Sequence, residues 1–182
     1  MTFTFRDPRI AILEAEYARV TAAFDAILDG LTPAQGAATP ADGWSPAQLV
    51  YHLSKVQHWV THQLVAGAAA LPPMSTVPPG PAPANLLTLL DAFPVRDRSR
   101  KVQAPEGIRP PAGLVLAEER ARWVAGRTAL VEALHRIGPS LTNVRVEHPA
   151  LGPLSGWQWA LFVSQHEERH LAQLREVLGA AH

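Results

Sequence analysis

Four stretches of the chain carry apolar residues at every third or fourth position, which is the spacing of one face of an α-helix. The first follows Asp7-Pro8, a capping residue with proline at the first helical position, and is expected to end near Gly30. The third begins near Leu116 and should stop at Gly138-Pro139, a typical helix exit. The sequence therefore predicts an all-α fold.

The second and fourth stretches begin with the same capping chemistry. Ser45 and Gln48 are spaced to form one capping box, and Ser155 and Gln158 are spaced to form another. The second helix is expected to run to about Ala66. Four helices of this length, each with one apolar face, predict a four-helix bundle.

A long connection joins the second and third predicted helices, from about Gly67 to Pro111, and is rich in Pro, Ala and Gly. It contains one further helical candidate, Asn85 to Phe93. A connection this long in a compact domain is usually functional. We expect a single domain over residues 1–182, with this crossover bordering the functional site or, as the alternative, packing elsewhere or forming a homodimer interface.

Charge and hydropathy limit the partners of the chain. Sixteen basic and sixteen acidic side chains balance, so there is no excess of positive charge to attract nucleic acid. The longest apolar stretch, Leu64 to Met74, is too short to span a bilayer, and the first ten residues lack the apolar core of a secretory signal. We expect a cytoplasmic protein with a small-molecule substrate, and without a nucleic-acid or membrane partner.

The chain contains no cysteine, so a transition-metal site would have to use His, Asp or Glu. His166 and His170 are one helical turn apart on the fourth predicted helix, within its apolar stripe. One interpretation is a pair of core histidines, each satisfied by a hydrogen bond. The i, i+4 spacing favours the other interpretation, a pair of metal ligands.

The remaining histidines differ in the helix face that they occupy. His52 lies at the edge of the apolar stripe of the second helix and can supply a third ligand. His58 and His62 are also four residues apart, but they lie on the other side of that helix, which we expect to face solvent. Three others have no partner by spacing and are expected at the surface: His135, His148 and His182.

Three segments together resemble the DinB-like superfamily in their order and spacing: GWSPAQLVYHL at 43–53, HPALGPL at 148–154 and HEERHLAQL at 166–174. That superfamily includes YfiT-like metal-dependent hydrolases and thiol-dependent transferases and isomerases. The resemblance implies a four-helix bundle that holds a metal on one histidine of the second helix and two of the fourth. Matched residue by residue, these ligands are His52, His166 and His170. The long crossover has no counterpart in these motifs.

Three neutral imidazoles would leave the charge of a divalent ion uncompensated, which favours an acidified water or a thiolate at the remaining position. Imidazole suits zinc or nickel best here, with iron and copper as alternatives, and magnesium and calcium are excluded because they prefer oxygen ligands. Any thiol must be a cosubstrate, since the chain has no cysteine. We expect a metal-dependent hydrolase or a small-thiol-dependent transferase.

Two other functions fit parts of the sequence. Residues 166–170 match the H-E-x-x-H pattern of zinc proteases, in which the glutamate, here Glu167, is the general base. The longer metzincin pattern needs glycine at position 173 and histidine at 176, where this chain has Gln173 and Glu176. Glu167 remains a candidate catalytic base or a support for a ligand. The non-enzymatic alternative is a structural metal in a binding module, although structural sites usually have four protein ligands.

Overall fold

The computed structural model describes residues 7–72, 85–99 and 103–179, and its main elements in this part of the chain are helices. The four long helices confirm the predicted all-α bundle, with small differences at their ends. The α-helices are α1 Pro8–Leu28, α2 Pro33–Ala37, α3 Pro46–Ala69, α4 Leu116–Ile137 and α5 Gly156–Gly179. Two 3₁₀ helices, Glu106–Ile108 and Gly138–Thr142, and two strands, β1 Arg145–His148 and β2 Gly152–Ser155, complete the described elements.

Both predicted capping boxes are present. The Ser45 amide donates to Gln48 Oε1 at 2.9 Å, and the Gln48 amide donates to Ser45 Oγ at 3.2 Å. Ser155 and Gln158 repeat this pair of bonds at 2.9 and 3.2 Å. Each box satisfies two backbone groups that the first helical turn leaves without a partner, and it therefore fixes where α3 and α5 begin.

The long helices bury one face each in a shared core. α3 packs against α4 and α5, and α1 packs against the same two helices. Burying each large apolar side chain contributes about 1.5–3 kcal/mol to folding. The largest fully buried side chains are Trp123, Trp157, Trp159, Tyr17, Phe24, Ile10, Leu13, Leu49, Leu53, Leu64, Leu90 and Leu130. No helix within the described residues is both long enough and apolar enough to cross a membrane.

A short β-hairpin between α4 and α5 was not predicted from the helical periodicity. β1 and β2 pair antiparallel, with His148 opposite Gly152, so three residues form the connecting loop. Gly152 has a φ of 75°, the left-handed conformation that commonly closes a loop of this length. The hairpin lies against the last turns of α3, where a Cβ on Gly67 would come within 3.3 Å of Val146 in β1.

The helical prediction for Asn85 to Phe93 is wrong. The structure has hydrogen-bonded turns there, with successive bonds that join residues three apart, such as Phe93 N–H to Leu90 O at 2.8 Å. Leu86 and Leu90 are buried against the bundle. Nine residues are too few to form a stable helix alone, so packing of these two leucines decides the local conformation.

Candidate metal centre

Three histidines from two helices bring their Nε2 atoms together. His52 lies on α3, and His166 and His170 lie on α5. The Nε2 atom of His166 is 3.4 Å from that of His52 and 3.2 Å from that of His170. One ring nitrogen from each residue lies within 4.8 Å of the other two, an arrangement that could hold a metal ion.

These separations fit a small transition metal. Two nitrogens that are each ~2.0–2.1 Å from a tetrahedral zinc ion lie about 3.4 Å from one another. The nitrogen pairs His52–His166 and His170–His166 are at or near that separation. Three nitrogen donors also suit zinc, nickel, copper or iron better than magnesium or calcium. The donor set and its spacing therefore fit the predicted class of metal.

Hydrogen bonds on the far side of two rings fix which nitrogen carries the proton. His52 Nδ1 lies 3.0 Å from the Ile108 carbonyl oxygen, and His170 Nδ1 lies 2.9 Å from Gln173 Oε1. Both partners are acceptors, so each Nδ1 must donate and each neutral ring has its lone pair on Nε2. Two lone pairs therefore face His166 Nε2, an arrangement that either a shared cation or a proton on His166 Nε2 would satisfy.

Burial keeps these imidazoles neutral. It lowers the pKa of His52, and it lowers that of His166 well below the usual value, with the neighbouring imidazoles as the next cause. Burial also lowers the pKa of His170 to about 3. Because only the neutral ring can ligate a metal, all three side chains are in the ligating form at neutral pH.

Aromatic side chains flank the three rings. The Trp44 ring lies 4.9 Å from the ring of His52, and the Phe162 ring stacks on that of His166 at 5.3 Å. His52 and His170 are 3% and 7% exposed, whereas His166 is partly exposed. Aromatic side chains therefore cover parts of the cluster, and the partial exposure of His166 leaves it in contact with solvent.

The crossover borders this cluster, as expected. Ile108, whose carbonyl accepts from His52, lies in the 3₁₀ helix of that segment. Arg98 donates to Gln173 Oε1 at 3.4 Å, the atom that also holds His170. Gln173 could have been found from the sequence, since it lies one turn after His170, but a backbone carbonyl such as that of Ile108 leaves no sequence signal.

Glu167 follows His166 along α5 but faces another part of the bundle. Its side chain is 1% exposed, Oε1 accepts from Trp123 Nε1 at 2.9 Å, and Oε2 accepts from Arg127 Nη2 at 2.5 Å. Burial raises the pKa of Glu167, and the Arg127 charge opposes that change. Both oxygens are thus engaged by α4, which favours a structural role, and its predicted part as a base stays a prediction.

The other histidines differ in how exposed they are and in what they contact. His58 and His62 are exposed, which confirms the predicted solvent-facing side of α3. His135 is partly exposed and binds Glu14 at 2.7 Å. His148, also expected at the surface, is partly exposed, and its ring packs against Trp159 and Phe162. His182 lies outside the described residues.

Acid should destabilise the metal-free protein. Above pH 6.5 His170 is neutral in both the folded and the unfolded chain and its titration does not affect stability. Between 6.5 and about 3 only the unfolded chain takes up the proton, so the free energy of unfolding falls as the pH falls. This residue contributes a slope of up to about 1.4 kcal/mol per pH unit.

Urea denaturation in the presence of a chelator, at pH values from 8 to 4.5, measures that slope. His170→Gln protein, whose side chain at this position does not titrate, should show a shallower dependence below pH 6.5. Equal slopes for the two proteins would show that His170 is not held neutral by the fold.

Comparison with known proteins agrees with the fold. The family model of the DinB superfamily matches residues 16–174. A protein of Bacillus subtilis (strain 168), described as uncharacterized protein YuaE, is 28% identical over 83 residues, which cover 45% of this chain and 51% of that relative. The match thus spans about half of that relative's length. No solved structure matches significantly. The family match extends over most of the chain and includes all three clustered histidines: the chain belongs to the DinB superfamily.

Proposed function

We propose that this protein binds one divalent transition metal through His52, His166 and His170 and acts on a small molecule that reaches the ion. The observation that carries the proposal is the convergence of three Nε2 atoms, in which that of His166 lies 3.2 Å from that of His170 and 3.4 Å from that of His52. Zinc or nickel are the preferred ions, and iron or copper are the alternatives.

The three-histidine set leaves a tetrahedral ion one ligand short, as in catalytic sites. When bound, the ion would lower the pKa of a water molecule or a thiol that reaches it. The partial exposure of His166 supports access from outside the bundle. The reaction we propose is hydrolysis, or transfer to a small thiol that is a cosubstrate because the chain has no cysteine.

The protein's own side chains would orient the ligands and limit access of water. The Ile108 carbonyl and Gln173 Oε1 hold the rings of His52 and His170 by their Nδ1 atoms. Partners of this kind, on the outer nitrogen of a ligand, commonly change metal affinity or activity by about 10–100-fold. Because Ile108 belongs to the crossover, we propose that this segment sets what can enter. We also propose one domain over 1–182, a cytoplasmic location and a homodimer as the assembly to test.

The H-E-x-x-H protease function has less support. In that mechanism the glutamate acts on a water molecule at the ion, whereas both oxygens of Glu167 bind side chains of α4. A thiol transferase needs no such base if the thiol is deprotonated at the metal. The contacts of Glu167 therefore favour thiol transfer, or a hydrolysis that does not use this carboxylate.

The test is a screen of zinc- and nickel-loaded protein with small thiols plus electrophiles, and with small esters. Turnover should appear only in the loaded protein and should be absent from His166→Ala protein prepared in the same way. Metal that binds stoichiometrically, without turnover and without displacement by any small ligand, would contradict the catalytic proposal and favour a structural metal.

A further inference from the structure

The hairpin holds the imidazole of His148 in one orientation. His148 is the last residue of β1, and its Nδ1 accepts hydrogen bonds from the amides of Ala150 at 3.1 Å and Leu151 at 3.2 Å. An Nδ1 that accepts cannot carry a proton, so the proton of this ring is on Nε2. The turn therefore presents His148 as a hydrogen-bond donor through Nε2.

This donor lies beside the three-histidine cluster. The His148 ring is 5.0 Å from that of Phe162, which stacks on His166 at 5.3 Å. The Trp159 ring also contacts the His148 ring, with the two ring centroids 5.1 Å apart. A single phenyl ring thus links His148 to a proposed metal ligand.

The turn and the aromatic packing explain the interactions of Nδ1 and of the ring surface of His148, but they leave Nε2 without a role. Capping of the turn uses Nδ1, and packing against Trp159 and Phe162 uses the ring faces and edges. No acceptor within the described residues binds Nε2. The side chain is partly exposed, and burial lowers the pKa of His148, which favours the neutral ring with its proton on Nε2.

We propose that His148 is a specificity-determining residue whose Nε2–H donates a hydrogen bond to a carboxylate or similar acceptor oxygen on the small molecule that occupies the metal site. This proposal rests on the proposed metal binding. The expected ligand has one group that reaches the ion and a second, acceptor group separated from it by a short apolar chain. The ring of Phe162, which contacts the rings of both His148 and His166, would border that chain.

Cobalt(II)-loaded protein offers a direct test, because the visible absorption of the ion changes when a ligand enters its coordination sphere. Succinate, glutarate and adipate would be titrated beside butyrate, valerate and hexanoate, the monocarboxylates of equal chain length. At least one diacid should bind roughly tenfold more tightly than its matched monoacid, the value of one hydrogen bond between a neutral and a charged group.

Two variants distinguish the proposed donor role of His148 Nε2 from the turn-capping role of its Nδ1. In His148→Asn the shorter amide can replace Nδ1 as the cap but cannot reach the position of Nε2, so the diacid preference should be lost while cobalt uptake is retained. In His148→Gln the longer amide can place an N–H near the position of Nε2, so the preference should be largely retained although the turn loses its cap and the melting temperature falls.

The outcomes are distinguishable. Wild-type protein that binds cobalt without preferring any diacid would overturn this inference alone, and so would a His148→Asn protein that keeps the preference. If His148→Asn does not fold, loss of the preference in folded His148→Gln protein would overturn the inference, and its retention would support it. Failure of wild-type protein to take up cobalt would overturn the proposed metal binding and this inference together.

Discussion

His166→Ala protein should bind no stoichiometric transition metal. His166 is the central member of the cluster, since its Nε2 atom lies 3.4 Å from that of His52 and 3.2 Å from that of His170. Loss of a supporting contact on a ligand costs about 10–100-fold in affinity, so loss of a ligand itself should cost more than ~100-fold. Metal content after dialysis against a weak chelator, measured by elemental analysis, gives the result.

The matched control is His58→Ala, which removes an exposed imidazole from the solvent-facing side of α3. That protein should keep one equivalent of metal, and the same holds for His62→Ala. One tightly held equivalent in His166→Ala protein would contradict the ligand assignment, whatever the other variants do.

Glu167→Ala should lower the free energy of unfolding by about 3–5 kcal/mol, which is the usual cost of removing one partner from a buried ion pair. The Arg127 guanidinium would lose its carboxylate while it remains mostly buried, with a side chain that is 14% exposed. Its Nε and Nη1 atoms already have no hydrogen-bond partner among the described residues. Trp123 Nε1 would lose its acceptor as well.

Urea denaturation of the metal-free proteins measures this cost, with Glu168→Ala as the matched control from the same helix. Glu168 pairs with Arg19 and Arg96, whose side chains are 53% and 50% exposed, so its removal should cost no more than ~1 kcal/mol. Adding Arg127→Met to Glu167→Ala should restore part of the lost stability, because the uncompensated charge is then absent. Glu167→Ala protein with wild-type stability but impaired turnover would favour the catalytic base instead.

The helices and the three clustered histidines could be predicted because both depend on local periodicity. The capping boxes at Ser45 and Ser155 act within one turn, so residue spacing is enough to locate them. His166 and His170 share a face at any position that their helix takes in the bundle. His52 could be assigned to the same cluster because it lies at the edge of the apolar stripe of its own helix, and that stripe faces the core.

The features that were missed or mistaken depend on contacts between distant segments. Residues 85–93 have a helical pattern, yet the burial of Leu86 and Leu90 against the bundle produces turns. His148 has no partner by spacing, and only the hairpin brings it to Phe162. Helical geometry predicts that Glu167 points about 100° away from His166 around the helix axis. Only the position of α4 determines that Glu167 then contacts Trp123 and Arg127.

The most direct test of the metal site is the zinc X-ray absorption spectrum of protein that has been loaded with one equivalent and freed of excess metal. The predicted spectrum contains the multiple-scattering signature of three imidazoles, with nitrogen ligands at ~2.0–2.1 Å and one further light ligand. A coordination sphere of oxygen ligands without imidazole, or protein that retains no zinc at all, would contradict binding through His52, His166 and His170.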